Sequence, residues 1–378
     1  MGGEADPQSL IKGDLEVYQG DTRVNAIAFS NVPVRRNYRT NIVGNLLTSQ
    51  VEFQTIIDPL YEDDINKDTG NGQVKHTVNV ATGEELVAAL TGSTEFKKYG
   101  IITLTDDIDM TGLTANFSLN GYTGEFKNLT FDGDGHSIKN LSTPLFNGTW
   151  AGSTQLTIKG VTIEDANIAG TADHPGTGIF ICGISATESV IFDDCHIKNS
   201  ALSSTHYGGG FFTYADGYNN PNDGPVFQTV IIRNCSVEGC TLSAKKSVGA
   251  IGGHATGNAW TKIQIENTKI LNNTITNTDN NRSDIVGAVV GTIGVAGTED
   301  NGKTGGTYLT GLTVTGNTVN YTNSGTTTDL GNNHWIGRVG SDGGKMWIDG
   351  VLRAERTSGT EYFYKADGTS ADVNTFIE

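Results

Sequence analysis

Carboxylates are the most numerous charged groups in this chain, 42 Asp and Glu against 25 Lys and Arg, and their spacing decides what chemistry is open to them. A glycoside hydrolase needs an acid and a base or nucleophile on one exposed face, roughly 5–9.5 Å apart. Asp193 and Asp194 are adjacent, but the repeat in this chain assigns the first to a surface column and the second to a bend. Asp106, Asp107 and Asp109 fall in a turn, where Asp commonly caps backbone amides. Asp132 and Asp134, in Phe131-Asp-Gly-Asp-Gly-His136, come nearest to a hard-cation site, which wants several converging carboxylate oxygens. The turn reading is favoured there too, and neither a metal nor any other cofactor is expected. His196 and His206 have no acidic partner readable from spacing. Cys182, Cys195, Cys235 and Cys240 form no CxxC pair and match no Cys/His zinc spacing.

What remains is recognition chemistry. A long insertion between residues 203 and 227 carries His206, Tyr207, Tyr214, Asp216, Tyr218, Asn219, Asn220 and Asp223, with His254 and Trp260 one repeat later. Aromatic rings with Asn and Asp on a loop of a rigid scaffold suit sugar stacking combined with hydrogen bonding. The candidate ligand-binding set is Tyr207, Tyr214, Asp216, Tyr218, Asp223 and Trp260. The competing role for this region is packing, with Phe211 and Phe212 in a strand and the tyrosines covering the loop base.

The elements that would position these residues are written as a repeat. One phrase occurs four times, beginning at Leu156, Val190, Val230 and Ile263, with spacings of 34, 40 and 33 residues. Such spacing marks a solenoid or array. Stacked, the copies give apolar columns: Leu156, Val190, Val230, Ile263; then Ile158, Phe192, Ile232, Ile265; then Ile163, Ile197, Val237, Ile270; and five residues on, Ile168, Leu202, Leu242, Ile275. Their period of two, before and after a break, predicts a short strand, a bend and another strand. The bend column is Gly160, Asp194, Asn234, Asn267, the residue types that tolerate a left-handed backbone. The column before it, Lys159, Asp193, Arg233, Glu266, alternates in charge, so parallel stacking at about 4.8 Å sets every charge beside its opposite. A one-residue slip would lose that pairing and turn the apolar columns outward. Leu309–Val314 and Met346–Val351 extend the phrase, with Gly311 and Gly350 at the corner positions, and 129–138 reads as an earlier, irregular turn. Gly-rich strand-like segments lie between copies, for example Val248-Gly-Ala-Ile-Gly252 and Val286-Gly-Ala-Val-Val-Gly291. Cys195 and Cys235 share one interior column, where side-by-side Cβ vectors suit a disulfide poorly and free buried thiols are expected.

The phrase, its interior columns and its Asn/Gly corners resemble the right-handed single-stranded parallel β-helices of the pectate-lyase-like superfamily. Ala81–Leu90 reads as an amphipathic helix with Thr82 and Glu85 in a capping box, followed by a strand over 101–110. This resembles the N-terminal plug of such solenoids, which covers apolar interior and strand edges that would otherwise face water.

Upstream, Leu15–Tyr18, Val24–Phe29 and Val51–Ile57 read as strands, and Val32-Pro-Val-Arg-Arg-Asn-Tyr-Arg-Thr-Asn-Ile-Val-Gly-Asn-Leu-Leu-Thr-Ser49 lies among them. That run resembles the end of the fimbrillin-like domain of Gram-negative gut-bacterial surface lipoproteins. The resemblance covers about 60 residues. It implies an extracellular protein at the outer-membrane surface, of fimbrial or adhesin type, with any lipid anchor outside the sequence in hand. Met1-Gly-Gly-Glu-Ala-Asp6 lacks the basic and apolar parts of a secretory signal, and no apolar run is long enough for a transmembrane helix. Residues 58–77 read as a linker, with a boundary near 75 between a partial fimbrillin-like segment (1–75) and the solenoid (76–378).

Composition agrees with this organisation. Gly is abundant at 50 of 378 residues and Pro sparse at 7, as many strands and tight turns require. A net charge of −17 disfavours unaided binding to nucleic acid or an anionic membrane. The expected fold is all-β, a right-handed parallel β-helix behind a short capping helix. The expected function is non-catalytic cell-surface adhesion through a glycan or a host or matrix ligand. A polysaccharide lyase or glycoside hydrolase is the alternative, although neither clustered calcium-binding Asp with a basic proton acceptor nor the Gly-His-Gly run of polygalacturonases is present. A structural stalk is the third reading.

Overall fold

The structure, a computed structural model, describes the backbone of four strands before residue 59 and most of 77–378. Outside the described residues lie 1–8, 20–21, 35–38, 44–53, 59–76, 92–99, 115–117, 121–127, 151–154, 172–175, 186, 217, 221–223, 256–260, 279–284 and 295–304, and side chains are described only from 77 on, except at 91, 118–120, 128, 150, 218–220 and 224–226. The chain forms two compact units, 1–74 and 75–378. In the first, Ser9–Gln19 pairs antiparallel with Thr22–Val34, and Arg39–Val43 pairs antiparallel with Gln54–Asp58. The expected linker lies outside the described residues.

The second unit is a parallel β-helix, and one coil shows its construction. The chain runs through Gln155–Lys159, Thr162–Glu164, Asn167–Gly170, Thr177–Gly178 and Ile181–Ser185, and each of these strands belongs to a different sheet. The next coil starts at Ser189–Asp193, paired in parallel with Gln155–Lys159. Successive coils therefore stack five ladders, of twelve, seven, six, four and seven strands in the order met. The expected register holds throughout: Leu156, Val190, Val230 and Ile263 are direct partners, as are Ile163, Ile197, Val237 and Ile270, and Ile168, Leu202, Leu242 and Ile275. All of these side chains are at most 2% exposed, which makes the ladders' inner faces the core.

The corners explain the bend column. Gly160, Asp194, Asn234, Asn267 and Gly311 all have φ between 46 and 63°. Five residues later a second left-handed column follows: Asp165, Asn199, Gly239, Asn272 and Gly316, with φ between 48 and 71°. The short strand between the two corners, such as Thr162–Glu164, is fixed by this spacing. Behind the second corner runs a buried column of Leu141, Ala166, Ser200, Cys240, Asn273 and Asn317. Its polar members satisfy the backbone at the bend. Asn273 Oδ1 accepts from Cys240 N at 2.9 Å, Asn273 Nδ2 donates to Val237 O at 2.9 Å, and Asn317 Oδ1 accepts from Asn273 N at 3.0 Å. A buried amide unpaired at such a bend would cost about 1–3 kcal/mol.

The Gly-rich segments have a steric cause. The four-stranded ladder folds tightly against the second seven-stranded one, and a Cβ on Gly253 would lie 2.9 Å from the carbonyl oxygens of Gly208, Ser247 and Thr213. Only Gly admits this approach. The four cysteines are free and buried. Cys195 Sγ points to Ile158 O at 3.3 Å and Cys235 Sγ to Phe192 O at 3.7 Å, so each thiol turns toward the carbonyl of the preceding coil. Burial pushes the Cys182 and Cys240 thiols up to about 11 and drives Cys195 higher still.

Both ends depart from the repeat. At the start, the helix Gly83–Thr91 is capped as its sequence predicts: Glu85 N donates to Thr82 Oγ1 at 3.2 Å, while Glu85 Oε2 accepts from Ala81 N at 2.7 Å. Leu86 and Leu90 are buried and join the same core as Val80, Ile102 and Leu104. At the far end, Gly350 is not a solenoid corner. Lys345–Ile348 is in register with the coil below, but Asp349 and Gly350 (φ 49 and 80°) reverse the chain into Val351–Thr357, which runs antiparallel. Two left-handed residues in succession make a type I′ hairpin turn, the tightest reversal between strands. Ser358-Gly359 repeats the device before Thr360–Tyr364, and Ser324-Gly325 builds a third hairpin between Thr318–Asn323 and Thr326–Asp329.

Candidate functional site

The insertion after residue 203 starts where the six-stranded ladder hands over to the four-stranded one. Gly176, at φ 99° one coil below, would drive a Cβ into the Tyr207 backbone, so its absence seats Tyr207 at this handover. Tyr214 lies on the outward side of strand Phe212–Asp216, with buried Thr213 and Ala215 on either side of it in sequence. Register then places His254 directly beside Tyr214 in the next coil and Ser185 beside Asp216 in the previous one.

The rings form one cluster. Tyr207 and Tyr214 stack near-parallel, 5.9 Å between centroids and 9° between planes. His254 tilts against both at 5.3 Å, and His206 meets Tyr207 edge-on at 4.2 Å. Tyr214 Oη donates to Asp216 Oδ2 at 2.9 Å. All five residues are half-buried. Burial raises the Tyr207 phenol, and burial, reinforced by the Asp216 charge, raises Tyr214 well above the usual range. Both therefore stay neutral donors at any physiological pH. Since the rings stack on one another, their faces are largely engaged; His206 Nδ1, His254 Nδ1 and Asp216 Oδ1 are buried and Asp216 Oδ2 is held by Tyr214, so what remains toward a ligand is chiefly ring edges and the phenolic oxygens. This differs from the open stacking platform that the aromatic content suggested. It suits hydrogen bonding to a hydroxyl-rich ligand more than face-on stacking of a sugar.

Of the six sequence candidates, the structure brings Tyr207, Tyr214 and Asp216 together. Tyr218 contributes backbone to a hairpin, Tyr218–Asn220 against Gly224–Val226, directly after Asp216. The Tyr218 side chain, Asp223 and Trp260 lie outside the described residues. Asp132 and Asp134 do not converge on a common point. Asp132 is part of the charge ladder, with Lys159 Nζ at 2.7 Å, and its Oδ1 accepts from Asp134 N; Asp134 sits at a left-handed turn. Among the described residues no group of three or more His, Cys, Asp or Glu could hold a metal. Asp107 and Asp109 act as caps, on Ser137 N and on Thr111 and Asn140, and these bonds hold both carboxyls below the usual range.

Two arrangements were not legible in the sequence. Tyr308 and Trp347 are register partners and stack at 4.6 Å and 5°, with Lys262 Nζ 5.1 Å over the Tyr308 ring. Their separation of nearly forty residues hid them, although both occupy the same outward column of the repeat. His196, which lacked a visible partner, has one: its Nε2 is 3.2 Å from Asp194 Oδ1 and its Nδ1 2.8 Å from Ser236 Oγ. The carboxylate requires the proton on Nε2, so Ser236 donates to Nδ1, the polarity of a nucleophile, base and orienting acid. The Ser236 amide, however, is spent on Cys195 O, and Ser236 is only 8% exposed.

The comparisons with known proteins bear on the first half of this solenoid. Residues 77–215 match the family described as "Putative pectate lyase-like adhesive domain". That stretch ends one residue before Asp216 and contains Tyr207 and Tyr214. Residues 3–98 match a family of unknown function (DUF6562). No curated protein matches the chain. Among solved structures, one titled as a putative immunoglobulin A1 protease from Bacteroides ovatus is 18% identical, covering 80% of this chain and 93% of its own, with a TM-score of 0.34, too low to carry an argument. The match to an adhesive domain fits an extracellular surface protein, and no helix among the described residues is long and apolar enough to cross a membrane.

Proposed function

We propose that this protein is a non-catalytic adhesin of the bacterial outer surface that binds glycan through the Tyr207, Tyr214, His254 and Asp216 cluster. That cluster is the observation that carries the reading: neutral phenols, imidazoles and a carboxylate are gathered on a scaffold whose ladders fix each side chain. The adhesive-domain match over 77–215 supports it. The run from Val32 to Ser49 supports export to the surface of a Gram-negative cell, where a lipid anchor would hold the protein. Polyhydroxylated ligands pair with such groups without a cofactor. Host or matrix glycoconjugates are the expected partners.

A second reading, an enzyme acting on carbohydrate, has the Ser236–His196–Asp194 polarity in its favour. That set would serve ester cleavage. The deciding experiment passes the purified chain over a panel of polysaccharides and glycoproteins and scores retention, chain cleavage and released acyl groups. Retention without product, lost in Asp216→Asn and unchanged in Ser236→Ala, is expected. Product formation abolished by Ser236→Ala would overturn the proposal in favour of the enzyme, and no retention anywhere on the panel would leave the stalk.

A further inference from the structure

At the far end of the solenoid a histidine stands where the three preceding coils carry Gly or Ala. Backbone hydrogen bonds run from Gly210 N to Ala250 O, from Ala250 N to Ala288 O and from Ala288 N to His334 O, which places Gly210, Ala250, Ala288 and His334 in one column. Ala250 and Ala288 are fully buried and His334 is 4% exposed. The two coils before His334 pack this position with a methyl group, although the column holds Ile179 and Leu145 further back, and none of them puts a titratable group there. What covers this end is the C-terminal turn, residues 372–378. Its Asn374 Oδ1 accepts from His334 Nδ1 at 3.0 Å, and its Phe376 is fully buried against Phe363, 5.5 Å between ring centroids. His334 Nε2 is buried without a hydrogen-bond partner.

We infer that His334 is an acid-sensitive latch that holds the C-terminal turn over the end of the solenoid at neutral pH and releases it on mild acidification. With its proton on Nδ1, the neutral ring satisfies Asn374 and leaves Nε2 bare, which a buried acceptor nitrogen tolerates. Protonation at Nε2 adds both a charge and a donor at a buried position where that nitrogen makes no hydrogen bond. The charged groups on the surrounding elements do not offset it. Asp372 is occupied in capping Asn374 N, and Asp329 caps Gly331 N. Glu378 lies 3.9 Å from Lys365. Arg353, 6% exposed, already brings a positive charge to the same turn, donating to Tyr364 O and to Phe376 O. Burial therefore lowers the His334 pKa, opposed by the Asn374 bond and the nearby Val286 carbonyl. The released turn thus binds the proton more readily than the closed one, so closure is complete above the ordinary histidine pKa and weakens as pH falls through about 6.5. One coupled proton changes the open-to-closed ratio by at most about tenfold per pH unit. Release would bare Phe376's seat and the apolar end of the last coil while the parallel body stays folded.

Hydrogen exchange on the full chain tests this, read at pH 7.5 and 5.0 after correction for intrinsic rates. In the wild type the peptide spanning 366–378 should lose protection by tenfold or more at the lower pH, while peptides of the body, such as 228–245, keep theirs. His334→Gln, which keeps a donor toward Asn374 and cannot charge, should abolish the difference. His334→Ala, the residue type of the two preceding coils, serves in its place if the Gln variant does not fold. An unchanged tail in the wild type, or an equal response in the folded variant, would overturn the inference.

Discussion

The parallel body and the antiparallel end of this molecule are built from the same turn-forming residues, yet they send the chain in opposite directions. In the body a single left-handed residue bends the chain, three residues of strand come next, and a second left-handed residue bends it again, as at Asn234 and Gly239. At the end, Asp349-Gly350 and Ser358-Gly359 place two left-handed residues together, and the chain turns back on itself. The pair alone does not decide the outcome, since Asp134-Gly135 has the same backbone signs inside the body. The distance to the next left-handed residue decides it. After Gly135 that residue comes five positions on, at Asn140, whereas after Gly350 the next is Ser358, eight positions on. A seven-residue strand fits between, and it pairs with its predecessor. The consequence is energetic as well as topological. In the middle of the body a strand such as Val190's, Ser189–Asp193, is held on both edges and buried on its inner face, while the end is a meander whose outer strand, Ser370–Ala371, has one neighbour.

This contrast orders the expected effects of substitution. Removing a large interior ring should be most damaging. Phe192 lies edge-on to Phe180 and Phe211 at 5.6 and 5.2 Å and is fully buried, so Phe192→Ala should cost about 3–5 kcal/mol in denaturant unfolding. Asn273→Ala comes next, at about 1–3 kcal/mol, because Cys240 N and Val237 O lose their partner inside the body. Asn234→Ala should cost about 1–2 kcal/mol for its forced left-handed backbone, and Asn234→Gly close to nothing. Gly350→Ala carries a similar local strain, but its effect should appear in hydrogen exchange of 345–371 and leave the body's protection intact. An equal loss in both regions would show that body and end unfold as one and would break the comparison. Smallest is Asp193→Asn. Arg233 donates to this carboxylate at 2.7 Å and holds it below the usual carboxylate range. A folded pKa depressed in this way contributes stability above about pH 4 that is lost as pH falls. At this exposed pair the loss should be under about 1 kcal/mol and should vanish in molar salt.

The fold was legible because its determinants are local and repeated. Gly160, Asp194, Asn234 and Asn267 mark one corner, the apolar columns mark the interior, and the alternating charges fix the register. The second corner, Asp165 to Gly316, is written as plainly, but its Asn and Gly sit among Ser, Thr and Glu that also favour turns, and only the backbone angles single them out. Gly350 misled because corner and hairpin share a residue type and differ in the length of strand beyond it. The candidate site was half legible. Tyr207, Tyr214 and Asp216 stand close in sequence, whereas the ring contact with His254 depends on the register between coils, as does the pairing of Tyr308 with Trp347. That the rings face each other, and so present edges and polar atoms, is a matter of rotamers that no spacing reveals.

The most direct measurement is an equilibrium titration of the glycan retained on the panel against the wild type and Tyr214→Phe. That substitution removes one hydroxyl and the donor to Asp216 while keeping the ring and its stacking. Binding weakened by about tenfold, the equivalent of about 1.4 kcal/mol, with an unaltered unfolding midpoint, is the result expected if the polar edge of this cluster is the binding surface. Equal affinity in the two proteins would place recognition elsewhere on the solenoid.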